Sequence, residues 1–332
     1  MAESVKATVA ILTFNGERYI KKILKAVRQQ ELDGGFEVLV IDSGSTDSTL
    51  EIVRSFPEVI LHQIPNSEFG HGKTRNLAAQ LATGEFVAFL THDAIPHTRH
   101  WLSELLEPFS MPEIKAVMGK QVPRVGCFPL MRYEIDGMFR QFGPDFGTTI
   151  FYQGPFVKSQ AVHDAISFYS DVNSAARRDF LLNVIPYRDV RYAEDQLFGK
   201  DLIDGGYRKA YAPRAIVEHS NDLSRSEYGR RIFDETVGLR QIGVELEPVS
   251  LIQLLKLTAR GILGDSLRIS RDRAYSWKRK LYWLAFNPPY QYTKWKSFRA
   301  STLVDINDPA AISAGSLEHH RKGIHHRAPE ST

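Results

Sequence analysis

The chain has 332 residues, of which 43% are apolar and 24% charged, and these fractions favour an ordinary globular protein over a disordered one. The formal net charge of +3 is too small to require a polyanionic partner. Cys127 is the only cysteine, which excludes an internal disulfide and favours a reducing compartment.

Strand and helix patterns alternate through the first 120 residues. Short apolar runs predict buried strands at residues 8–12, 36–41, 59–64 and 86–90. The segments between them read as helices, at residues 20–27, 50–56 and 73–81. Ser48 and Glu51 have the spacing of a capping box for the second helix. This order predicts an α/β fold with a mainly parallel sheet flanked by helices.

The pattern loosens after Gly119. Residues 123–154 are rich in glycine, proline and aromatic side chains, which favours a long functional loop, with a pair of helices as the open alternative. Residues 194–203 predict a helix that ends at a Gly-Gly pair. Residues 216–218 then predict a short strand that ends at His219.

Two acidic motifs follow predicted strands. Asp42 and Asp47 lie in an Asp-Ser-Gly-Ser-Thr-Asp segment after the second strand, and His92 and Asp93 follow the fourth. Strand ends in open α/β sheets bind ligands, so Asp42 is a candidate contact for a nucleobase or ribose. The position of Asp47 favours helix capping. Asp93 is a candidate ligand for Mg²⁺ or Mn²⁺ held against a diphosphate, and His92 is either part of that site or structural.

Three further segments carry candidate functional side chains. Glu194 and Asp195 open a predicted helix, where one carboxylate can cap the helix and the other can remove a proton from an acceptor hydroxyl. His219 is either a second metal ligand or a structural histidine. Residues 70–76 combine glycine with two cations before a helix, which favours an anion, although neither a P-loop nor a GxGxxG motif is present.

Five of these motifs, in this order, resemble glycosyltransferase family 2, the inverting enzymes of GT-A fold. They are Thr13-Phe14-Asn15-Gly16, the Asp42 motif, Arg75-Asn76, the Asp93 motif and Glu194-Asp195. The resemblance spans residues 7–220 and implies a GT-A type, Rossmann-like sheet. Within the family, four segments are most similar to bacterial rhamnosyltransferases, namely residues 69–76, 91–96, 173–178 and 217–220.

The resemblance implies a role for each matching residue. Five side chains would bind the donor: Thr13, Asn15, Asp42, Arg75 and His92. Asp93 would bind Mn²⁺ or Mg²⁺ as the end of a D-x-D-like motif, in which His92 replaces the common aspartate, and His219 is the candidate second ligand. Asp195, in the Glu194-Asp195 motif, would be the catalytic base.

The same resemblance implies a reaction. L-rhamnose would pass from dTDP-β-L-rhamnose to a hydroxyl of a glycan or lipid-linked glycan, in O-antigen-like cell-surface polysaccharide synthesis, with inversion at the anomeric carbon. Two alternatives remain open: the same mechanism with a UDP- or GDP-sugar, and a catalytically inactive scaffold that binds a sugar nucleotide or glycan. The intact Asp93 and Glu194-Asp195 motifs argue against the scaffold.

The C-terminal third is basic and rich in aromatic residues. Residues 256–299 contain eleven Lys or Arg and two Asp. This composition predicts either contact with an anionic membrane surface or packing, on the catalytic domain or between subunits of a homo-oligomer. No recognised nucleic-acid motif is present, so no nucleic acid partner is expected.

Four segments are therefore predicted. They are a donor-binding half at 1–120, an acceptor-binding and catalytic half at 121–222, a helical appendage at 223–312 and a disordered tail at 313–332. The apolar run near the N-terminus is too short for a signal-peptide core, and no run is long enough to span a bilayer. We expect a cytoplasmic protein, and one reading of the basic segment adds peripheral contact at the inner face of the plasma membrane.

Overall fold

The computed structural model describes residues 5–221, 223–317 and 319–320. The chain divides into two compact units. The first comprises Met1–Gly126 and Glu134–Ser220, and the second comprises Cys127–Tyr133 and Asn221–Thr332. The predicted boundary at residue 120 falls inside the first unit, and the functional halves on either side of it stay a prediction.

One mixed sheet organises the first unit. Its strands are β1 (Ala7–Thr13), β2 (Phe36–Asp42), β3 (Val59–Gln63), β4 (Phe86–Thr91), β5 (Ile95–Pro96), β6 (Ile114–Val122), β7 (Thr149–Phe151), β8 (Asn173–Arg177) and β9 (Arg208–Glu218). Their order is β3-β2-β1-β4-β8-β6-β9-β5, and β7 pairs with β9. The first four strands in this order, β3, β2, β1 and β4, are parallel, as predicted, whereas β8 runs antiparallel to both β4 and β6. The predicted α/β fold is confirmed, and the sheet is mixed because β8, and also β5 and β7 beside β9, run in the opposite direction.

Helices cover both faces of this sheet. The helices of the first unit are α1 (Ile20–Arg28), α2 (Thr49–Arg54), α3 (His71–Leu81), α4 (Trp101–Leu106), α6 (Gln160–Ser167), α7 (Arg178–Asn183) and α8 (Glu194–Asp204). α5 (Pro129–Arg140) begins in the second unit, and its residues from Glu134 onward belong to the first. The alternation along β1 assigns Val9 and Ile11 to a core with α1 and α4, and Ala10 to a second core with α3 and α8. Each large side chain buried in these cores contributes about 1.5–3 kcal/mol.

Two local predictions are wrong. The segment 123–154, favoured as a loop, contains α5 and β7, so the alternative of two helices is right for its first element and wrong for its second. The capping box at Ser48 does not form, because the Ser48 side chain makes no capping bond. Instead Thr49 N donates to Asp47 Oδ1 at 3.0 Å, and Ser48 N donates to Glu17 Oε2 at 3.1 Å. Asp47 therefore caps α2, as its position indicated.

The second unit is helical, as predicted for the appendage. It contains α9 (Arg225–Gln241), α10 (Leu251–Arg271), α11 (Trp277–Leu303) and α12 (Pro309–Gly315). Buried Asn287 of α11 donates to Ile262 O and Ser266 Oγ of α10, which holds the two helices together. α12 extends into the predicted tail, of which residues 318 and 321–332 lie outside the described residues. No helix in the described part of the chain is long and apolar enough to cross a membrane.

Asn173, at the start of β8, joins three elements of the first unit. Its side chain is fully buried, and Nδ2 donates to Ala215 O at 2.8 Å and to Lys120 O at 3.1 Å. Its Oδ1 accepts from Trp101 Nε1 at 2.8 Å. One amide therefore satisfies polar groups of β6, β9 and α4 that are out of reach of water.

We expect Asn173→Ala to lower the free energy of unfolding by about 2–4 kcal/mol, since buried polar partners lose their bonds and a cavity forms. Urea denaturation measures this loss. The matched control is Asn183→Ala, because exposed Asn183 bonds only Asp179 on its own helix. Equal effects of the two substitutions would contradict the structural role assigned to Asn173.

Candidate active site

The carboxyl ends of three parallel strands meet at one edge of the sheet. Thr13 of β1 lies opposite Asp42 of β2, and Leu12 lies opposite Thr91 of β4. Thr13, Asp42 and the segment that continues from β4 into Asp93 are therefore neighbours. This is the edge where open α/β sheets bind ligands.

Asn15 and Asp42 order the two loops that follow β1 and β2. Asn15 has a positive φ of 49° and accepts from Thr46 N at 2.9 Å, while its own N–H donates to Ser45 Oγ at 2.8 Å. Asp42 accepts from Gly44 N and Ser45 N, each at 3.0 Å. Both residues thus shape the predicted nucleoside site through bonds within the protein, and their contact with a nucleoside stays a prediction.

Thr13 and His92 both lie close to Gly16. A Cβ atom at Gly16 would come within 2.7 Å of Thr13 Oγ1 and 3.4 Å of His92 Cγ. Thr13 Oγ1 is buried and has no hydrogen-bond partner among the described residues. The predicted donor residues Thr13 and His92 are therefore close together, and Thr13 retains an unused polar atom at the strand end.

Asp93 and His219 come together from positions 126 residues apart in the chain. His219 Nε2 lies 3.4 Å from Asp93 Oδ2, and His219 Nδ1 lies 3.0 Å from Gln121 Oε1. Because a carbonyl oxygen only accepts, Nδ1 carries the proton and Nε2 faces Asp93. Burial works to raise the pKa of Asp93, but the adjacent His219 outweighs it and holds that pKa well below its usual range.

The Asp93 and His219 pair fits a divalent cation. A carboxylate oxygen with an imidazole nitrogen suits Mn²⁺, and the carboxylate alone suits Mg²⁺. The bond from His219 Nδ1 to Gln121 is the outer contact that commonly orients a metal-binding histidine. Among the described residues, no group of three or more His, Cys, Asp or Glu is arranged to hold a metal ion.

Arg75 has protein partners where donor contact was predicted. Its Nε lies 3.0 Å from Asp171 Oδ2, and its Nη1 donates to Glu194 Oε1 and to the carbonyl of His71. Arg75 is 6% exposed. Burial works to lower the pKa of Arg75, but Asp171 and Glu194 outweigh it and raise the pKa above its usual range.

Glu194 and Asp195, adjacent in the predicted motif, have pKa values that shift in opposite directions. Burial works to raise the pKa of Glu194, but the bound Arg75 outweighs it and lowers the pKa. Asp195 is half-buried and accepts from Gln196 N at 2.8 Å and from Asp171 N at 3.3 Å. Burial, with the carboxylates of Glu194 and Asp171, raises the pKa of Asp195 to about 8.

The backbone before α8 is strained where these carboxylates begin. Ala193, the residue that precedes the helix, has a φ of +63°. Such a conformation is unfavourable for a residue with a side chain and persists where its surroundings enforce it. Gln196 Nε2 provides one such restraint by donating to Tyr169 O at 2.7 Å. The first turn of α8 is therefore fixed by contacts distant in sequence.

Sequence reasoning missed Asp171, Gln121 and Arg124. Arg124 donates to the carbonyls of Asp93 and Ser220, and so supports both strand ends that carry the candidate metal ligands. Asp171 precedes β8 without a recognisable motif. Its only signal is a carboxylate beside a buried strand, which occurs in many proteins without functional meaning.

A search against protein-family models matches Glycosyl transferase family 2 over residues 8–184, more than half of the chain. The chain therefore belongs to glycosyltransferase family 2 and is an inverting glycosyltransferase. This result confirms the predicted family and enzyme class.

Two curated relatives and one solved structure are similar to this chain. O-antigen chain rhamnosyltransferase RfbN of Salmonella typhimurium is 31% identical over 70% of this chain and 72% of its own length. O-antigen chain rhamnosyltransferase WbaN of Salmonella anatum is 32% identical over 63% of this chain and 64% of its own length. The mannosyltransferase PcManGT from Pyrobaculum calidifontis, solved with GDP-Man and Mn²⁺, has a TM-score of 0.55 at 19% identity, over 88% of this chain and 86% of that one. This last likeness supports the GT-A type fold.

Proposed function

We propose that this glycosyltransferase moves L-rhamnose from dTDP-β-L-rhamnose to a hydroxyl of a glycan or lipid-linked glycan in O-antigen-like polysaccharide assembly. The observation that carries the reaction is the Asp195 carboxylate, held at the start of α8 with its pKa raised to about 8. The choice of sugar is supported by the two relatives, both named as O-antigen chain rhamnosyltransferases.

Asp195 acts as the general base in this proposal. Its deprotonated carboxylate takes the proton from the acceptor hydroxyl while that oxygen bonds to the anomeric carbon. The bond from this carbon to the nucleoside diphosphate breaks on the opposite side, which inverts the centre. A base whose pKa lies near the working pH transfers protons efficiently and is present in its reactive form.

The donor is held at the carboxyl edge of the sheet. Thr13 Oγ1 and the loops ordered by Asn15 and Asp42 bind the nucleoside, and His92 lies beside them. Asp93 and His219 would hold Mn²⁺ or Mg²⁺, which would stabilise the negative charge that develops on the leaving diphosphate. A metal is supported by the donor set of this pair and by the Mn²⁺ bound to PcManGT.

The alternative donors are UDP- and GDP-sugars with the same mechanism. GDP-Man is the ligand of PcManGT, so a fold of this type accommodates another base and sugar. The inactive-scaffold alternative requires an Asp195 that is dispensable. These alternatives differ in the nucleotide bound and in turnover, which makes them separable by experiment.

We further propose that α10 and the first half of α11 contact an anionic bilayer. α10 exposes Ile252, Leu255, Leu263 and Leu267, and Trp277 and Tyr282 are exposed on α11. Residues 251–286 contain eight Lys or Arg and two Asp, a net charge of +6 in a chain of net +3, so the rest of the chain is negative. An apolar face with basic residues suits anionic lipid, whereas two such faces would repel each other.

This membrane contact would bring the enzyme to a lipid-linked acceptor at the cytoplasmic face of the membrane. The homo-oligomer is the competing occupant of the same exposed face. Both are tested by the same variants, because loss of the exposed leucines would change either vesicle binding or the molecular mass in solution.

We expect Asp195→Asn to lower kcat about 10²–10⁴-fold, because the amide cannot accept the hydroxyl proton. In the wild type, kcat/KM should rise with pH through a midpoint near 8 as Asp195 loses its proton. Initial-rate assays with dTDP-β-L-rhamnose between pH 6 and about 9.5 measure both effects. Asp201→Asn, on the same helix and paired with Arg188, is the matched control. Transfer that survives Asp195→Asn would remove the assigned base.

The nucleotide preference is measured by thermal unfolding with dTDP, UDP or GDP, each with and without Mn²⁺. We expect the largest rise in Tm with dTDP plus Mn²⁺, since only a ligand bound to the folded state stabilises it. His219→Gln should reduce the part of the shift that depends on Mn²⁺. A larger shift with UDP or GDP would replace the sugar assignment, and the absence of any shift would count against donor binding.

Vesicle sedimentation measures the membrane contact with the full chain. We expect binding to phosphatidylcholine vesicles only when phosphatidylglycerol is added, and weaker binding at high salt, since the attraction is screened. The double substitution Leu255→Gln and Leu263→Gln should abolish it, while Leu182→Gln, an exposed leucine of α7, should not. Unchanged vesicle binding in the double variant would refute the membrane assignment. So would a lower molecular mass of the double variant than of the wild type in lipid-free solution, because it would assign the exposed leucines to a homo-oligomer.

A further inference from the structure

Arg75 and Asp171 form a buried ion pair that the transfer reaction does not explain. Their side chains are 7% and 0% exposed, and their closest approach is 3.0 Å. Removing two charges from water is costly, and a buried pair of this kind is often no more stable than apolar residues of the same volume. Stability alone is therefore a weak reason for this pair.

The pair is attached to the catalytic carboxylate on two sides. Asp171 donates its backbone N–H to Asp195 Oδ2 at 3.3 Å. Arg75 binds Glu194, the residue immediately before Asp195, through Nη1. One end of the ion pair thus contacts the base directly, and the other holds its neighbour in the first turn of α8.

Asp171 is itself fixed by three side chains. Its Oδ1 accepts from Ser174 Oγ at 2.6 Å and from Tyr187 OH at 2.9 Å, and Arg75 faces Oδ2. The backbone N–H of Tyr187 also donates to Asn76 Oδ1 at 2.9 Å. Because these partners belong to α3, β8 and the segment before α8, Asp171 has little freedom to move relative to Asp195.

We propose that Asp171 and Arg75 are positioning residues, which fix the location of the Asp195 carboxylate and the pH range over which it accepts a proton. The proposal rests on the role of Asp195 as base. It assigns Arg75 to the catalytic side of the site, because its guanidinium contacts Asp171 and Glu194.

The charges that face Asp195 act in opposite directions. Besides burial, the carboxylates of Glu194 and Asp171 raise its pKa, whereas Arg75 lowers it. Tyr169 also lies close enough to interact with Asp195, and His71 interacts with Glu194. Removing Asp171 or Arg75 should therefore move the titration of Asp195 in opposite senses. A loss of structural integrity alone would move both variants in the same sense.

The test compares pH profiles of kcat/KM for the wild type and four variants. Asp171→Asn should lower the midpoint by about one pH unit, and Arg75→Gln should raise it by a similar amount, since each removes one nearby charge. Arg75→Lys keeps the charge and should restore a midpoint near that of the wild type. Lysine lacks the planar guanidinium that contacts Asp171 and Glu194 through separate nitrogen atoms. Asp201→Asn is the control on α8.

A second readout separates this role from donor binding. If Arg75 does not contact the donor, Arg75→Lys should change the Kd for dTDP by no more than about twofold while kcat falls. A tenfold or larger rise in Kd at unchanged kcat would instead return Arg75 to the donor site and overturn the proposal.

A third readout does not require turnover. The carboxyl carbon of Asp195 is titrated by ¹³C NMR, with its signal assigned by its loss in Asp195→Asn. Opposite shifts of this titration in Asp171→Asn and Arg75→Gln would support the positioning role even if the enzyme used another sugar donor. Equal or absent shifts would overturn it, and failure of the wild type to transfer rhamnose would count only against the proposed donor. If Arg75→Gln does not fold, the downward shift in Asp171→Asn and the wild-type-like value in Arg75→Lys decide the outcome.

Discussion

The carboxylates of the candidate active site depend on one buried guanidinium. Arg75 of α3 neutralises Asp171 before β8 and Glu194 at the start of α8, and Asp195 lies beside both carboxylates. Without that positive charge, three carboxylates would share a site with little access to water, and at least one would have to bind a proton. The ion pair therefore links the packing of three elements to the charge of Asp195, the proposed base.

The dipeptide Ser170-Asp171 connects the carboxylates around Arg75 to the candidate metal ligands. Ser170 Oγ accepts from Gln121, whose carbonyl oxygen lies 3.0 Å from His219 Nδ1. The next residue, Asp171, bonds to Asp195. The segment before β8 thus fixes both the residues that would hold the diphosphate and the base that would activate the acceptor. Reactions that need two groups in register benefit from such shared support, because small displacements of either group lower the rate.

Several residues that signal the family serve the architecture. Asn76 forms reciprocal hydrogen bonds with the backbone of Tyr187, and Asn173 satisfies three elements of the sheet. Arg178 donates to Ala79 O at 2.9 Å, which joins α7 to α3. A motif can therefore identify a family correctly while its individual residues join elements of the fold.

The sequence by itself determined the alternating strands and helices of the first 120 residues, because apolar periodicity is a local property that reflects which face of each element is buried. It also placed Asp42 and Asp93 at strand ends and Glu194 with Asp195 at a helix start. Only the tertiary structure brought Asp93 to His219, paired Arg75 with Asp171 and Glu194, and gave the Ser48 backbone N–H to Glu17. These contacts join residues far apart in the chain, so the local spacing of residues cannot predict them. Only the packing of the folded chain decides which charged groups are neighbours.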